Sequence, residues 1–118
     1  MGDTEKEPTL MKRKRLDTAI RRIVSKIVER FDPQLIFLVG SQATGTARPD
    51  SDVDLLIVMT VEGSARRKAI EIGVALHGLP VVSDVVVSSP EDFAWRKDVP
   101  GTPEHPATHG GRLLYARS

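Results

Sequence analysis

Residues 40–58 read GSQATGTARPDSDVDLLIV, and the fold turns on how this stretch is read. Asp52 and Asp54 flank Val53 at the mouth of the apolar run Leu55, Leu56, Ile57 and Val58. Unpaired carboxylates buried beside a core strand cost several kcal/mol, so something must offset them. Along a strand, side chains at i and i+2 share a face. Asp52 and Asp54 are therefore predicted to project side by side, with Val53 and Leu55 turned to the opposite layer. A third acidic residue, Asp84, sits between Val82 and Val86 in the apolar run Val81–Val87. It joins the first two if that run forms the neighbouring strand. Three converging carboxylates repel one another, and some stay protonated unless a cation neutralises them. Hard oxygen donors in a chain without cysteine favour Mg²⁺ or Mn²⁺. Two such ions about 3.5–4 Å apart support in-line displacement at phosphorus.

The first half of the stretch supplies the complement. Gly40 ends one apolar run, and Ser41 begins SQAT, which reads as a short helical turn. Backbone N–H groups at such a start, a hydroxyl, and a glycine that permits close approach make a phosphate site. The loop has no Gly-Lys-Ser/Thr, which excludes a P-loop ATPase.

Working outward, MKRKRLDTAIRRIVSKIVERF spaces Leu16, Ile20, Ile23, Val24, Ile27, Val28 and Phe31 at steps of three and four. That spacing predicts an amphipathic helix, closed by Asp32-Pro33 because the residue before proline avoids helical geometry. Leu35–Val39, Val53–Met59 and Val81–Val87 are short apolar runs between turn residues, and so strands. Between the last two lies a helix with Ser64 as N-cap, Ala65, Ala69, Ile72 and Leu76 facing inward, and Gly78 and Pro80 as stops. Pro90 opens a short helical turn that carries Glu91 and Asp92 at its start. Phe93 and Trp95 are expected to be packing anchors. The tail holds Pro100, Pro103 and Pro106, so most of it is expected to be irregular, with Leu113–Tyr115 as a final edge strand or docking segment. His105 and His109 lie four apart there, on no assured helix, so a metal site is not expected. His77, at a helix end, is read as solvated or facing the helix dipole.

This order predicts an α/β (α+β) fold with a small mixed central sheet and helices packed on it. The expected organisation is a disordered N-terminus over residues 1–10 and a single domain over residues 11–118. With 118 residues, 40% of them hydrophobic, one modest core is the expectation. No apolar run approaches the ~20 residues that span a membrane, and MGDTEKEPTL lacks the apolar core of a secretory signal. A cytoplasmic protein without a membrane partner follows. The formal net charge of +1 gives no global pull toward nucleic acid. The basic face of the first helix lacks the interleaved aromatics that single strands stack on, so direct nucleic-acid binding is not expected.

Gly40-Ser41, then Asp52-Val53-Asp54, then Asp84 on the next strand resembles the DNA polymerase beta-like nucleotidyltransferase superfamily, and most of all its minimal nucleotidyltransferases. The motif spans Leu35 to Val87, and the tail GGRLLYA is similar to the usual ending of these proteins. The resemblance implies the nucleotidyltransferase fold and a Mg²⁺- or Mn²⁺-dependent enzyme with ATP as substrate. Gly40 and Ser41 would hold the β/γ-phosphates, and Asp52, Asp54 and Asp84 would be the catalytic, metal-coordinating set. Asp84 would also help deprotonate the attacking hydroxyl. Many relatives carry Arg where this chain has Thr44, so the loop lacks a cation there; Arg48 is a nearby substitute. With about thirty residues after the third strand, the acceptor is expected to bind in a shallow site or to arrive on another protein. Minimal nucleotidyltransferases pair with helical HEPN-type toxins as antitoxins, which implies AMP transfer from ATP to a partner hydroxyl. The alternative is a catalytically weak or inactive antitoxin of the same fold that neutralises its partner by binding alone.

Overall fold

The computed structural model describes residues 9–44, 53–79 and 83–118 of the chain. The elements run α1 (Thr9–Phe31), β1 (Leu35–Val39), α2 (Ser41–Thr44), β2 (Val53–Val58), α3 (Ala65–Ala75), β3 (Ser83–Ser88), α4 (Pro90–Arg96), α5 (His105–Thr108) and β4 (Arg112–Ala116). The strands form one mixed sheet in the order β3-β2-β1-β4. Both neighbours of β1 run antiparallel to it, while β2 and β3 are parallel. A parallel pair needs a crossover, and α3 supplies it. This is the expected α+β architecture.

The strand period divides the core in two. Ile36, Leu38, Val53, Leu55, Ile57 and Val87 turn to one face, where Leu16, Ile20, Ile23 and Ile27 of α1 and Ile72 and Leu76 of α3 close over them. Phe37, Leu56 and Val58 turn to the other, against Phe93 of α4 and Ala107 of α5. The predicted stripes of both long helices are thus the buried ones.

Local chemistry sets the element ends. At Asp32, α1 stops with φ at +49°, a left-handed turn that Asp tolerates better than most residues. The Arg117 side chain donates to the Asp32 carboxylate at 2.9 Å, tying the end of β4 to the α1–β1 connection. Ser64 caps α3 by accepting from the Arg67 N–H at 3.2 Å, and Ser89 caps α4 by accepting from Asp92 N–H at 3.1 Å.

Some expectations shift. Helix α1 begins at Thr9, inside the segment expected to be disordered, and residues 1–8 lie outside the described part. Strand β3 runs on to Ser88, because the Ser88 carbonyl accepts from Met59 N–H at 3.0 Å; Val81 and Val82 are not among the described residues. The tail is more ordered than its prolines imply, since Pro106 falls in the first turn of α5, where a missing N–H costs nothing. Trp95 is no packing anchor. It is 59% exposed, because Phe93 takes the inward position on α4 and a residue two further lies about 200° round the helix. Phe93 does anchor, its ring centroid 5.4 Å from that of Phe37.

Candidate active site

The acidic residues can now be placed. Val53 and Leu55 point into the α1/α3 core, so Asp54 alternates onto the opposite face with Leu56 and Val58. Across the parallel β2–β3 ladder Asp54 is in register with Asp84, and register partners share a face. Two carboxylates thus stand on neighbouring strands, each the second residue of its strand. Asp84 is exposed and Asp54 half-buried. Among the described residues, helices α4 and α5 pack on the other end of this face, and Val86, two residues on from Asp84, is 40% exposed.

Gly40 belongs to the same place. It follows Val39, whose register partner on β2 is Asp54. Its φ is +78°, a conformation that favours glycine. A Cβ built on Gly40 would lie 2.7 Å from Asp54 Oδ2, so the carboxylate rests directly against the glycine backbone. The chain turns there into the short helix α2, and Ala43 N–H donates to the Gly40 carbonyl at 3.1 Å. Glycine at position 40 therefore does two things: it permits the turn and leaves space for an acidic side chain.

The structure brings together Gly40, Ser41 at the start of α2, Asp54 and Asp84. Asp52 lies outside the described residues, as does Arg48. Among the described residues no group of three or more His, Cys, Asp or Glu is placed to hold a metal. The donor chemistry of the described pair still fits a hard divalent ion, for it offers carboxylate oxygens on adjacent strands and no sulfur or imidazole. Sequence reasoning missed a buried charged group on this face. Glu104 is 5% exposed. It accepts from Ser88 Oγ at 2.8 Å and from Arg96 Nε at 3.1 Å, which joins β3, α4 and the start of α5. All its named partners are internal, so its role is to hold those helices on the sheet. A lone Glu between prolines gave no periodic signal for it.

Residues 20–104 match the Nucleotidyltransferase domain family, well over half of the chain. The chain belongs to that family. No curated protein sequence matches it significantly. Among solved structures, it resembles a Sulfolobus solfataricus protein described as a nucleotidyltransferase, with a TM-score of 0.68 at 17% identity, over 95% of this chain and 91% of that one. A chain of a toxin-antitoxin structure with AMP-PNP gives a TM-score of 0.51 at 20% identity, over 83% of this chain and 73% of that one. A more distant likeness, TM-score 0.40 at 16% identity over 93% and 74% of the two chains, is to the complex of a tri-AMPylated Shewanella oneidensis HEPN toxin with MNT antitoxin. At 17% and 20% identity, the first two likenesses establish the fold alone.

Proposed function

We propose that this nucleotidyltransferase domain transfers a nucleoside monophosphate, AMP from ATP, to a hydroxyl on a partner protein, and that the partner is a helical HEPN-type toxin for which the chain is the antitoxin. The observation that carries the reading is the register pairing of Asp54 with Asp84 beside the Gly40 turn. A pure binding module gains nothing from two carboxylates on adjacent strands at one end of a sheet. The shared fold with a chain of a toxin-antitoxin structure with AMP-PNP is consistent with both the nucleotide and the partner.

In this reading Asp52, Asp54 and Asp84 would hold Mg²⁺, which when bound neutralises charge on the phosphates. Gly40 and Ser41 would hold the β/γ-phosphates against the start of α2. Asp84, the more exposed carboxylate of the described pair, would accept the proton of the attacking hydroxyl. The hydroxyl oxygen forms a bond to the α-phosphorus as the α–β bridging P–O bond breaks. Pyrophosphate leaves with that electron pair. Positioning and charge neutralisation account for most of the catalysis, so few residues suffice.

Intact-mass spectrometry of the co-expressed partner tests the reading. AMP-sized additions are expected with the parent chain and none with Asp84→Ala, which keeps much of its nucleotide binding. Mg²⁺ with ATP should also raise the melting temperature of the parent by mass action, and Asp52→Asn with Asp54→Asn should abolish the shift. An unmodified partner, neutralised equally well by parent and Asp84→Ala, would hand the case to an antitoxin that acts by binding alone.

A further inference from the structure

The sheet face opposite Asp54 is closed by α1 and α3, and the outer surface of these helices carries features that the fold itself does not use. Ile72 and Leu76 fix the phase of α3 by turning into the core. Residues two positions from them lie about 200° round the helix, so Ile70 and Val74 point to solvent. They are 60% and 70% exposed. One turn apart, their side chains form an apolar ridge along the outside of α3. Arg66 and Arg67, both exposed, stand at its N-terminal end.

Gly73 lies beside the same ridge. It is exposed, and a Cβ built on it would meet nothing within 4 Å. Glycine inside a helix is less favourable than alanine, and no neighbour among the described residues demands it here. What it leaves is a notch between Ile70 and Val74 where another backbone can approach closely.

Helix α1 adds charge to this layer. Arg22, Lys26 and Arg30 follow one another at steps of four, about 6 Å apart along the axis. With Arg21, and with Leu79 from the loop after α3, they line a groove of about 510 Å³. Leu79 N–H donates to the carbonyl of Leu76, the C-cap of α3, at 3.2 Å. The groove therefore opens beside the end of α3 that carries Val74. Among the described residues, none of the four cations forms a salt bridge. Like charges four apart on a helix repel, and an external anion relieves that repulsion.

The ridge and the groove together select the class of partner. A phosphate backbone would use the cations and leave Ile70 and Val74 in water. A second copy of this chain would bring its own cations against these. A protein helix with an apolar stripe and acidic residues along one flank satisfies both features. Its stripe covers Ile70 and Val74 over the Gly73 notch, and its carboxylates pair with the α1 guanidinium groups. We propose that the α1–α3 layer docks an acidic amphipathic helix of a partner protein. Asp54 is on the other face of the sheet, so a partner anchored here leaves the carboxylates free. That this partner is also the AMP acceptor rests on the reading above; the docking does not.

The probe is a synthetic helical peptide of about 20 residues, long enough to hold its structure, with a leucine stripe and glutamates at steps of four along one flank. A control peptide has the same composition with the glutamates shuffled. Calorimetry at physiological ionic strength, without nucleotide or metal, reads the docking alone, so a failed transfer reaction has no bearing on it. The patterned peptide is expected to bind about tenfold more tightly than the control. Val74→Ser and Arg22→Glu should each weaken it by about fivefold or more. Gly73→Ala should raise the melting temperature of the free chain and yet weaken docking, a split that a purely structural glycine would not give. All three positions are exposed, so the variants are expected to fold, as circular dichroism will verify. Equal binding of the two peptides overturns the proposal, as does a Val74→Ser variant that binds like the parent. So does an RNA duplex or a phosphatidylserine vesicle that binds more tightly than the peptide and is released by Arg22→Glu.

Discussion

The two faces of the sheet are made from alternate residues of the same strands, yet they are finished differently. On one face, α1 and α3 close over a continuous apolar layer from Leu16 to Val87. On the other, two short helices pack on Phe37, Leu56 and Val58, with Leu35 and Val39 against them, and the far end of that face carries Asp54 and Asp84. The first face supplies most of the burial that holds the domain together. The second gives up apolar area at the end where Asp84 is exposed and Asp54 half-buried. What burial exists there is supplemented by the Glu104–Ser88–Arg96 network, a polar clasp.

Leu55 and Leu56 make this comparison direct. They are consecutive, identical in kind, each 1% exposed, and on opposite faces. Leu→Ala in a core costs about 2–5 kcal/mol, with the value set by how far the site can collapse. Leu55 is hemmed in by two long helices that cannot both follow a shrinking side chain, so Leu55→Ala belongs near the top of that range. Leu56 lies under the short α4 and α5, which can settle inward, so Leu56→Ala belongs near the bottom. Urea unfolding of the two variants gives both values. Equal losses would mean that the second face is as rigidly closed as the first.

How much of this was legible depended on distance along the chain. The residues of β2 read as a buried strand because they form a short apolar run, and Ser64 and Pro90 announced helix starts by local chemistry. The Asp54–Asp84 neighbourhood was expected only if Val81–Val87 formed the strand beside Val53–Met59, and the parallel β2–β3 pairing meets that condition. Non-local choices were not legible. β4 pairs with β1 through a register shift between Ile36 and Phe37, which nothing in RLLYA encodes. Ser88 enters the sheet because Met59 and Glu104 claim it, both far off in sequence. Trp95 read as core from its size alone, and only the helix phase set by Phe93 turned it outward. In the candidate site, Asp54, Asp84 and Gly40 fall where the spacing put them, while Asp52 lies outside the described residues.

A smaller effect is expected at the border between the two jobs. Gly40→Ala forces a Cβ into a left-handed turn, at about 1–2 kcal/mol, and against Asp54 Oδ2 at 2.7 Å. The side chain rather than the backbone can give way, so the protein should still fold. The carboxylate then leaves its place, and transfer to a partner should fall much further than thermal stability does. Parallel measurement of melting temperature and partner modification separates the two. A variant that loses stability but keeps full transfer would detach Gly40 from the site.

The smallest effect is the most telling about the carboxylate end. Asp84 and Asp54 are register partners on parallel strands, and like charges directly opposite across a ladder are destabilising by roughly 0.2–1 kcal/mol. Asp84 is exposed, so water and salt screen the repulsion and place it at the low end of that range. Asp84→Asn keeps the shape and removes one charge. In metal-free buffer of low ionic strength the variant should therefore be slightly more stable than the parent, by a few tenths of a kcal/mol. The gain should shrink as salt is added, and it should reverse in Mg²⁺ with ATP, where the parent gains ligand-binding energy that the variant lacks. The signature is this change of sign between the two buffers, read by urea unfolding in each. A variant less stable than the parent in both would mean that Asp84 is held by favourable contacts of its own, and that the second face keeps it for structure rather than for chemistry.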